Sequence, residues 1–250
     1  MKVVLTIAGS DTSAGAGIQQ DLKTITALGQ YGATVITAIT AQNTIGVQGV
    51  QPVSREMVFQ QISSVMEDLD VRAIKIGMIP TIEVAKAIVE RLSKTKEPIP
   101  VVWDPVMIST SGTRLMSEDC IDYLKDYLVP YCTLITPNLP ESILFPPPYQ
   151  TNMLIKGGHA EGEEMTDTLL LTDGSTFKFS EHKICSSNLH GTGCTLSSAI
   201  ATFLALNYSL PEAVRSAKKY LTEAIRAGRE QHIGHGNGPL GYIPSFQTEN

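Results

Sequence analysis

Short apolar runs rich in β-branched residues alternate with helical stretches along most of the chain, and this alternation constrains the fold more than any other feature. The runs at 3–8, 33–41, 73–78, 100–104, 133–136 and 153–156 are bounded by Gly, Pro, Asn or Asp, as buried strands are. Between them, 18–28, 54–68, 81–93 and 117–128 carry apolar residues at three- and four-residue spacing, and several begin on a Ser or Thr able to cap. Repeats of strand, helix and strand build a mainly parallel sheet with helices on both faces. Asp173-Gly174, between the runs 169–172 and 176–179, signals a hairpin that gives the sheet an antiparallel edge. Two amphipathic stretches, 195–206 and 211–231, then follow with no strand between them, ahead of a Gly-rich tail at 234–241. With no internal repeat or low-complexity linker in 250 residues, one α/β domain over 1–250 is expected.

One connection is short. Only 137–152 separates two of the strands, and Pro137, Pro140, Pro146, Pro147 and Pro148 leave room for one helical turn around 141–145 before a polyproline-like stretch.

Composition removes several function classes. Nineteen Lys+Arg against 25 Asp+Glu give a net charge of -6, without a basic cluster interleaved with aromatics, so no nucleic-acid partner is expected. Cys120, Cys132, Cys185 and Cys194 form no CxxC pair, which fits a reducing cytoplasm, and no apolar run approaches membrane-spanning length, so a soluble protein without membrane contact is expected. A Walker A sequence is absent. Gly191-Thr-Gly193 lacks the third glycine and the following βαβ unit of a dinucleotide site, which argues against an oxidoreductase. His232-x-x-His235 has no third ligand nearby, and Gly234 interrupts its helix, so it is not read as a metal site.

The sharpest motif is His190-Gly-Thr-Gly-Cys194 leading into an apolar helix. Its glycines let backbone N–H groups converge on an anion, and the helix N-terminus adds about half a positive charge. At that terminus the Cys194 thiol is expected to ionise below its usual pKa of about 8.5 and to accept a proton. Residues 7–23 read as a strand, a loop rich in glycine and hydroxyls, and a helix; Gly9 allows close approach, and Asp21 is a candidate acceptor for a polar substrate, or alternatively a favourable charge near a helix start. Position at strand ends also selects Gln42, Asn43, Gly77 and Met78. Asp104 and the Asn138-Leu-Pro-Glu141 segment lie at neighbouring strand ends, where carboxylates suit Mg2+ beside phosphates, with Asp11 and Lys156 as a further carboxylate and cation; as isolated residues Asp104 and Glu141 read equally as turn formers or caps.

The segments IAGSDTSAGAGIQQDLK, AQNTIGVQGV, KIGM, DPVM, TPNLPE, IKGGH, HGTGCTLSSAIA and GHGNGPL occur in this order over nearly the whole chain, and together they resemble bacterial hydroxymethylpyrimidine (phosphate) kinases. The resemblance implies a ribokinase-like three-layer α/β/α fold, and transfer of the γ-phosphate of ATP, with Mg2+, to 4-amino-5-hydroxymethyl-2-methylpyrimidine and to its monophosphate in thiamin biosynthesis. It assigns Cys194 as catalytic base and Gly191, Thr192 and Gly193 as anion hole. Gly9, Asp21, Gln42, Met78 and Val106 would line the pyrimidine pocket. Asp104, Asn138, Glu141 and Lys156 would serve Mg2+ and the nucleotide phosphates, the tail near Gly236 and Asn237 would close on the site, and a cytoplasmic homodimer is expected. Two departures stand out: the family's helix between TPNLPE and KGGH is replaced by the Pro-rich stretch, and Ala14 stands where Gly is usual. Pyridoxal kinase is the nearest alternative, since pyridoxal is also a flat heteroaromatic with a hydroxymethyl group. Residues 108–112 lack the cysteine that some pyridoxal kinases carry there, which favours the pyrimidine. A non-catalytic vitamin-binding protein would be expected to have lost Cys194, Asp104 or Glu141, and all are present.

Overall fold

The computed structural model describes residues 1–107, 116, 118–147, 150–158 and 163–241. Their strands are β1 (Val3–Ser10), β2 (Tyr31–Gln42), β3 (Val47–Pro52), β4 (Val71–Ile76), β5 (Val101–Trp103), β6 (Leu134–Ile135), β7 (Asn152–Ile155), β8 (Glu164–Leu170) and β9 (Thr176–His182). The helices are α1 (Gly17–Ala27), α2 (Arg55–Asp68), α3 (Ile82–Leu92), α4 (Glu118–Tyr127), α5 (Leu139–Ser142), α6 (Thr192–Ala205) and α7 (Leu210–Gly228). All the strands join one sheet in the order β3-β2-β1-β4-β5-β6-β7-β8-β9, parallel from β2 to β7 and antiparallel at both ends.

Side chains alternate across β1, and both faces of the sheet are covered, so the strand is continuously apolar. Leu5 and Ile7 pack with Val58 and Ile62 of α2, Val84 and Ile88 of α3 and Leu124 of α4. Val4 points the other way, into a cluster with Ile25 of α1, Ile200 and Leu204 of α6 and Val214 of α7. Each such buried aliphatic side chain contributes about 1.5–3 kcal/mol by leaving water. The helix starts follow their caps: Ser54 accepts from Met57 N–H, Thr81 from Val84 N–H, and Ser209 and Glu212 form a reciprocal box at α7. The result is the three-layer α/β/α arrangement expected of the ribokinase-like fold.

The antiparallel hairpin at Asp173-Gly174 forms as expected, with Leu170 opposite Thr176. A second antiparallel edge, β3, was not anticipated. Its sequence VQGVQP has no apolar run, and it pairs with β2 across a turn in which Asn43 Oδ1 accepts from Ile45 and Gly46 N–H. The Pro-rich connection holds its helical turn slightly upstream of 141–145, at α5, where Asn138 and Glu141 cap each other reciprocally. Phe145, just beyond it, meets Trp103 edge-on at 5.8 Å, so the short crossover still closes the core.

Candidate active site

Beyond the C-terminal ends of the parallel strands lies a cavity of about 750 Å³, with the N-termini of α1 and α6 in its wall. Crevices at strand ends are where open α/β sheets bind ligands. Gly9, Gln42, Met78, Val106, Asp104, Asn138, Glu141, Lys156, Gly191, Thr192, Gly193 and Cys194 all line it, although they are drawn from distant parts of the chain.

The turn before α6 is built on Gly191, whose φ of 88° suits glycine and whose missing Cβ would lie 1.9 Å from Gly15 O. Thr192 N–H bonds Leu189 O, while among the described residues the N–H groups of Gly193 and Cys194 find no backbone acceptor and remain the open donors of the first turn. On the opposite wall stands the first residue of α1, Gly17, whose N–H favours the ionised form of the Cys194 thiol. Two helix N-termini thus converge on one point. The thiol does not respond as its sequence position suggested: burial pushes it up to about 11, outweighing the opposite pull of the Lys75 ammonium.

Asp21 requires a second correction. It is not part of the cavity wall; its side chain is fully buried, and its carboxylate accepts from Lys75 Nζ at 2.9 and 2.7 Å and from Thr6 Oγ1 at 2.6 Å. With 0% of its side chain exposed, it does not face a substrate. Lys75 lines the cavity in its place. Burial alone would lower the Lys75 ammonium, but the Asp21 carboxylate, with Cys194 and Asp104, holds it above its usual range. A lone lysine inside the apolar run 73–78 was the available signal for this residue.

Asp104, directly after β5, accepts from Lys156 Nζ at 2.6 Å and Thr136 Oγ1 at 3.2 Å through Oδ1. Its Oδ2 has one long contact, to Ser197 Oγ at 3.5 Å, and faces Gly193. Glu141 Oε2 accepts from Asn138 N–H at 2.9 Å and Oε1 from Met107 N–H at 3.3 Å. Burial raises Glu141 above the ordinary carboxylate range, against the pull of Lys156. Lys156 would be lowered by burial but is held up by Asp104 and Glu141. The capping reading of Glu141 is therefore realised, with Asn138 as its reciprocal partner, and Glu141 still borders the cavity.

Asp11 is not free for a metal: Oδ1 accepts from Ser13 N–H and Oγ, and Oδ2 from Ala16 N–H and His190 Nε2, each at 2.8 Å. His190, quoted in the motif but given no role there, stands against Gln42 in the wall. Met78 packs under Gly9, where a Cβ would come 3.2 Å from its Sδ. Asn43 turns away to hold its own turn, and Gly236 and Asn237 dock on Thr44 at the rim without lining the cavity. Residues 108–112 lie outside the described residues. Ile184, Leu196, Leu221 and Ile225 also line the cavity, interspersed with charged residues such as Glu181, Lys183 and Lys218.

The family model of phosphomethylpyrimidine kinase matches residues 11–151 and 147–241. The hydroxymethylpyrimidine/phosphomethylpyrimidine kinase of Rhizobium meliloti is 45% identical, covering 95% of this chain and 96% of its own. Among solved structures, the phosphomethylpyrimidine kinase of Clostridium difficile is 42% identical with a TM-score of 0.78, over 90% of this chain and all of that one. The pyridoxal kinase of Staphylococcus aureus in complex with AMP-PCP and pyridoxal superimposes with a TM-score of 0.85 at 30% identity, over 97% of this chain and 93% of that one. Matches of this length and identity carry the motifs together with the fold, and the chain belongs to the phosphomethylpyrimidine kinase family.

Proposed function

We propose that this protein transfers the γ-phosphoryl group of ATP to the hydroxymethyl oxygen of 4-amino-5-hydroxymethyl-2-methylpyrimidine and then to the phosphate of its monophosphate, supplying thiamin biosynthesis. The observation that carries this reading is the meeting of the α1 and α6 N-termini at Cys194, beside two lysines, in a cavity whose wall carries both charged and apolar side chains. Phosphoryl transfer asks mainly for positioning and charge neutralisation. The open N–H groups of Gly193 and Cys194, with Lys156, receive the transferring phosphoryl oxygens, and Lys75 adds positive charge below them. Gly9, Gln42, Met78 and Val106 hold the pyrimidine, and the apolar side chains of Leu196, Leu221 and Ile225 take the nucleobase. Cys194, or a water it orders, accepts the hydroxyl proton as the oxygen attacks phosphorus.

Mg2+ fits the donor set. Among the described residues, Asp104 Oδ2 and Glu141 Oε1 each have one long hydrogen bond and so retain acceptor capacity, and two carboxylates joined to substrate phosphates are a usual Mg2+ environment. When bound, the ion would neutralise charge on the phosphate oxygens. We further propose one kinase domain over 1–250, acting in the cytoplasm as a homodimer; the single continuous sheet supports the first of these.

The test is coupled ADP release with ATP and Mg2+, offering the pyrimidine alcohol, its monophosphate, pyridoxal and ribose. Turnover with both pyrimidines is expected. Turnover with pyridoxal alone would move the protein to vitamin B6 salvage, and silence with all four would leave a binding protein.

A further inference from the structure

Gln42 ends β2 at the cavity wall, and its amide touches two neighbours whose hydrogens can be counted. On one side, Thr40 Oγ1 lies 2.9 Å from Ser10 O and 3.2 Å from the amide atom placed as Oε1. A hydroxyl has one hydrogen, and the Ser10 carbonyl can only accept, so Thr40 spends its hydrogen there and can only accept from Gln42. On the other side, His190 Nε2 lies 2.8 Å from Asp11 Oδ2 and 3.3 Å from the amide atom placed as Nε2.

Asp11 is an acceptor, because it already receives the N–H groups of Ser13 and Ala16. Burial would raise its pKa, but the bonds from His190 and Ser13 prevail and hold it below the usual range, so it is ionised. His190 Nε2 must then carry a hydrogen, and it spends it on that carboxylate; it cannot accept from an NH2 group, and an NH2 placed against it would meet the N–H hydrogen to hydrogen. Both neighbours demand the same assignment. The amide oxygen faces His190 and the NH2 faces Thr40, the reverse of the order in which the two atoms are placed.

We propose that His190, oriented by Asp11, fixes the Gln42 amide in this one orientation and thereby selects an amino-substituted over an oxo-substituted pyrimidine edge. With one N–H spent on Thr40, the amide retains one N–H and the lone pairs of its oxygen. That pair matches a ring nitrogen beside an exocyclic amino group, as glutamine matches adenine. An oxo pyrimidine presents donor and acceptor in the opposite order and meets the fixed amide donor to donor and acceptor to acceptor. His190 is held against rotation, since its ring packs on the backbone of Gly15, where a Cβ would lie 2.3 Å from Cδ2. His190 is thus a positioning residue, and this inference rests on the pyrimidine reading of the site.

The test compares kcat and KM for 4-amino-5-hydroxymethyl-2-methylpyrimidine and its 4-oxo analogue in wild type, His190→Leu, His190→Gln and Thr40→Val. Removing either neighbour frees the amide to turn, so the amino-over-oxo ratio of kcat/KM is expected to fall by about tenfold or more in His190→Leu and Thr40→Val, through KM for the amino substrate. Gln at position 190 keeps an N–H where Nε2 lies and should hold the ratio within about threefold of wild type. A purely structural role would lower both substrates together. An unchanged ratio in Thr40→Val, whose neighbour is distinct from the Asp11 loop, or equal effects of Leu and Gln at 190, overturns the inference. Wild type inactive on the amino pyrimidine would remove the functional reading, and this inference with it.

Discussion

Lys75 Nζ lies 2.9 and 2.7 Å from the two carboxylate oxygens of Asp21, and both side chains have 0% exposure. A buried pair costs little while intact and much when halved. Asp21→Asn should therefore destabilise the protein by about 3–5 kcal/mol in urea unfolding, because it strands an ammonium inside the sheet. Asp21→Asn combined with Lys75→Met should recover most of that stability yet remain a poor kinase, since the positive charge below the anion site is gone. Recovery of both would show that Lys75 serves packing alone.

The raised thiol makes a prediction about pH. With its pKa at about 11, the thiolate fraction of Cys194 grows roughly tenfold per unit between neutrality and pH 10. If the thiolate takes the substrate proton, kcat/KM climbs over that range in wild type and stays flat and low in Cys194→Ala. A flat wild-type profile would transfer the proton to water. Stability moves the other way. The unfolded thiol ionises near its ordinary value of 9.0 while the folded one resists to about 11, so stability is full below 9 and falls as pH rises through 11.

Two neighbouring glycines should fail differently. A Cβ on Gly193 would sit 3.0 Å from Asp104 Oδ2, within the anion site but against a side-chain atom. Gly193→Ala should fold near normally and lose about 10²-fold in kcat. A Cβ on Gly191 meets the backbone of Gly15 at 1.9 Å, and φ is 88°. Gly191→Ala should lower the melting temperature as well as activity.

Ala14 adopts a φ of 60°, in the left-handed region that costs a non-glycine residue about 1–2 kcal/mol. Ala14→Gly should raise stability by up to about 1 kcal/mol after the added entropy of the unfolded chain is subtracted, as read from thermal or urea unfolding. A loss of stability would mean that the Ala14 methyl packs usefully.

The parallel strands were legible because both faces of the sheet are buried, which leaves predominantly apolar runs such as VVLTIA. β3 was not legible for the complementary reason: it is exposed, polar and held by backbone pairing that composition does not record. The Cys194 turn and Asp104 could be placed because glycines and strand ends fix them. Asp21 and Lys75 could not, since a charge on a helix reads alike whether it faces a ligand or a buried partner 54 residues away. The direction of the Cys194 pKa was misread because its position at a helix start was visible and the depth of its burial was not.

The His190–Asp11 bond spans 179 residues of sequence, and the nearby Gln20–Thr195 bond spans 175. Contacts this remote are reached only after the intervening chain has surrendered its freedom, so they weigh against fast folding. A nascent chain therefore has no working pocket until its last helices have docked on its first strand. Once they have, any ligand gripping both ends acts as a clasp across the whole sequence, strengthening the folded state in proportion to its own affinity.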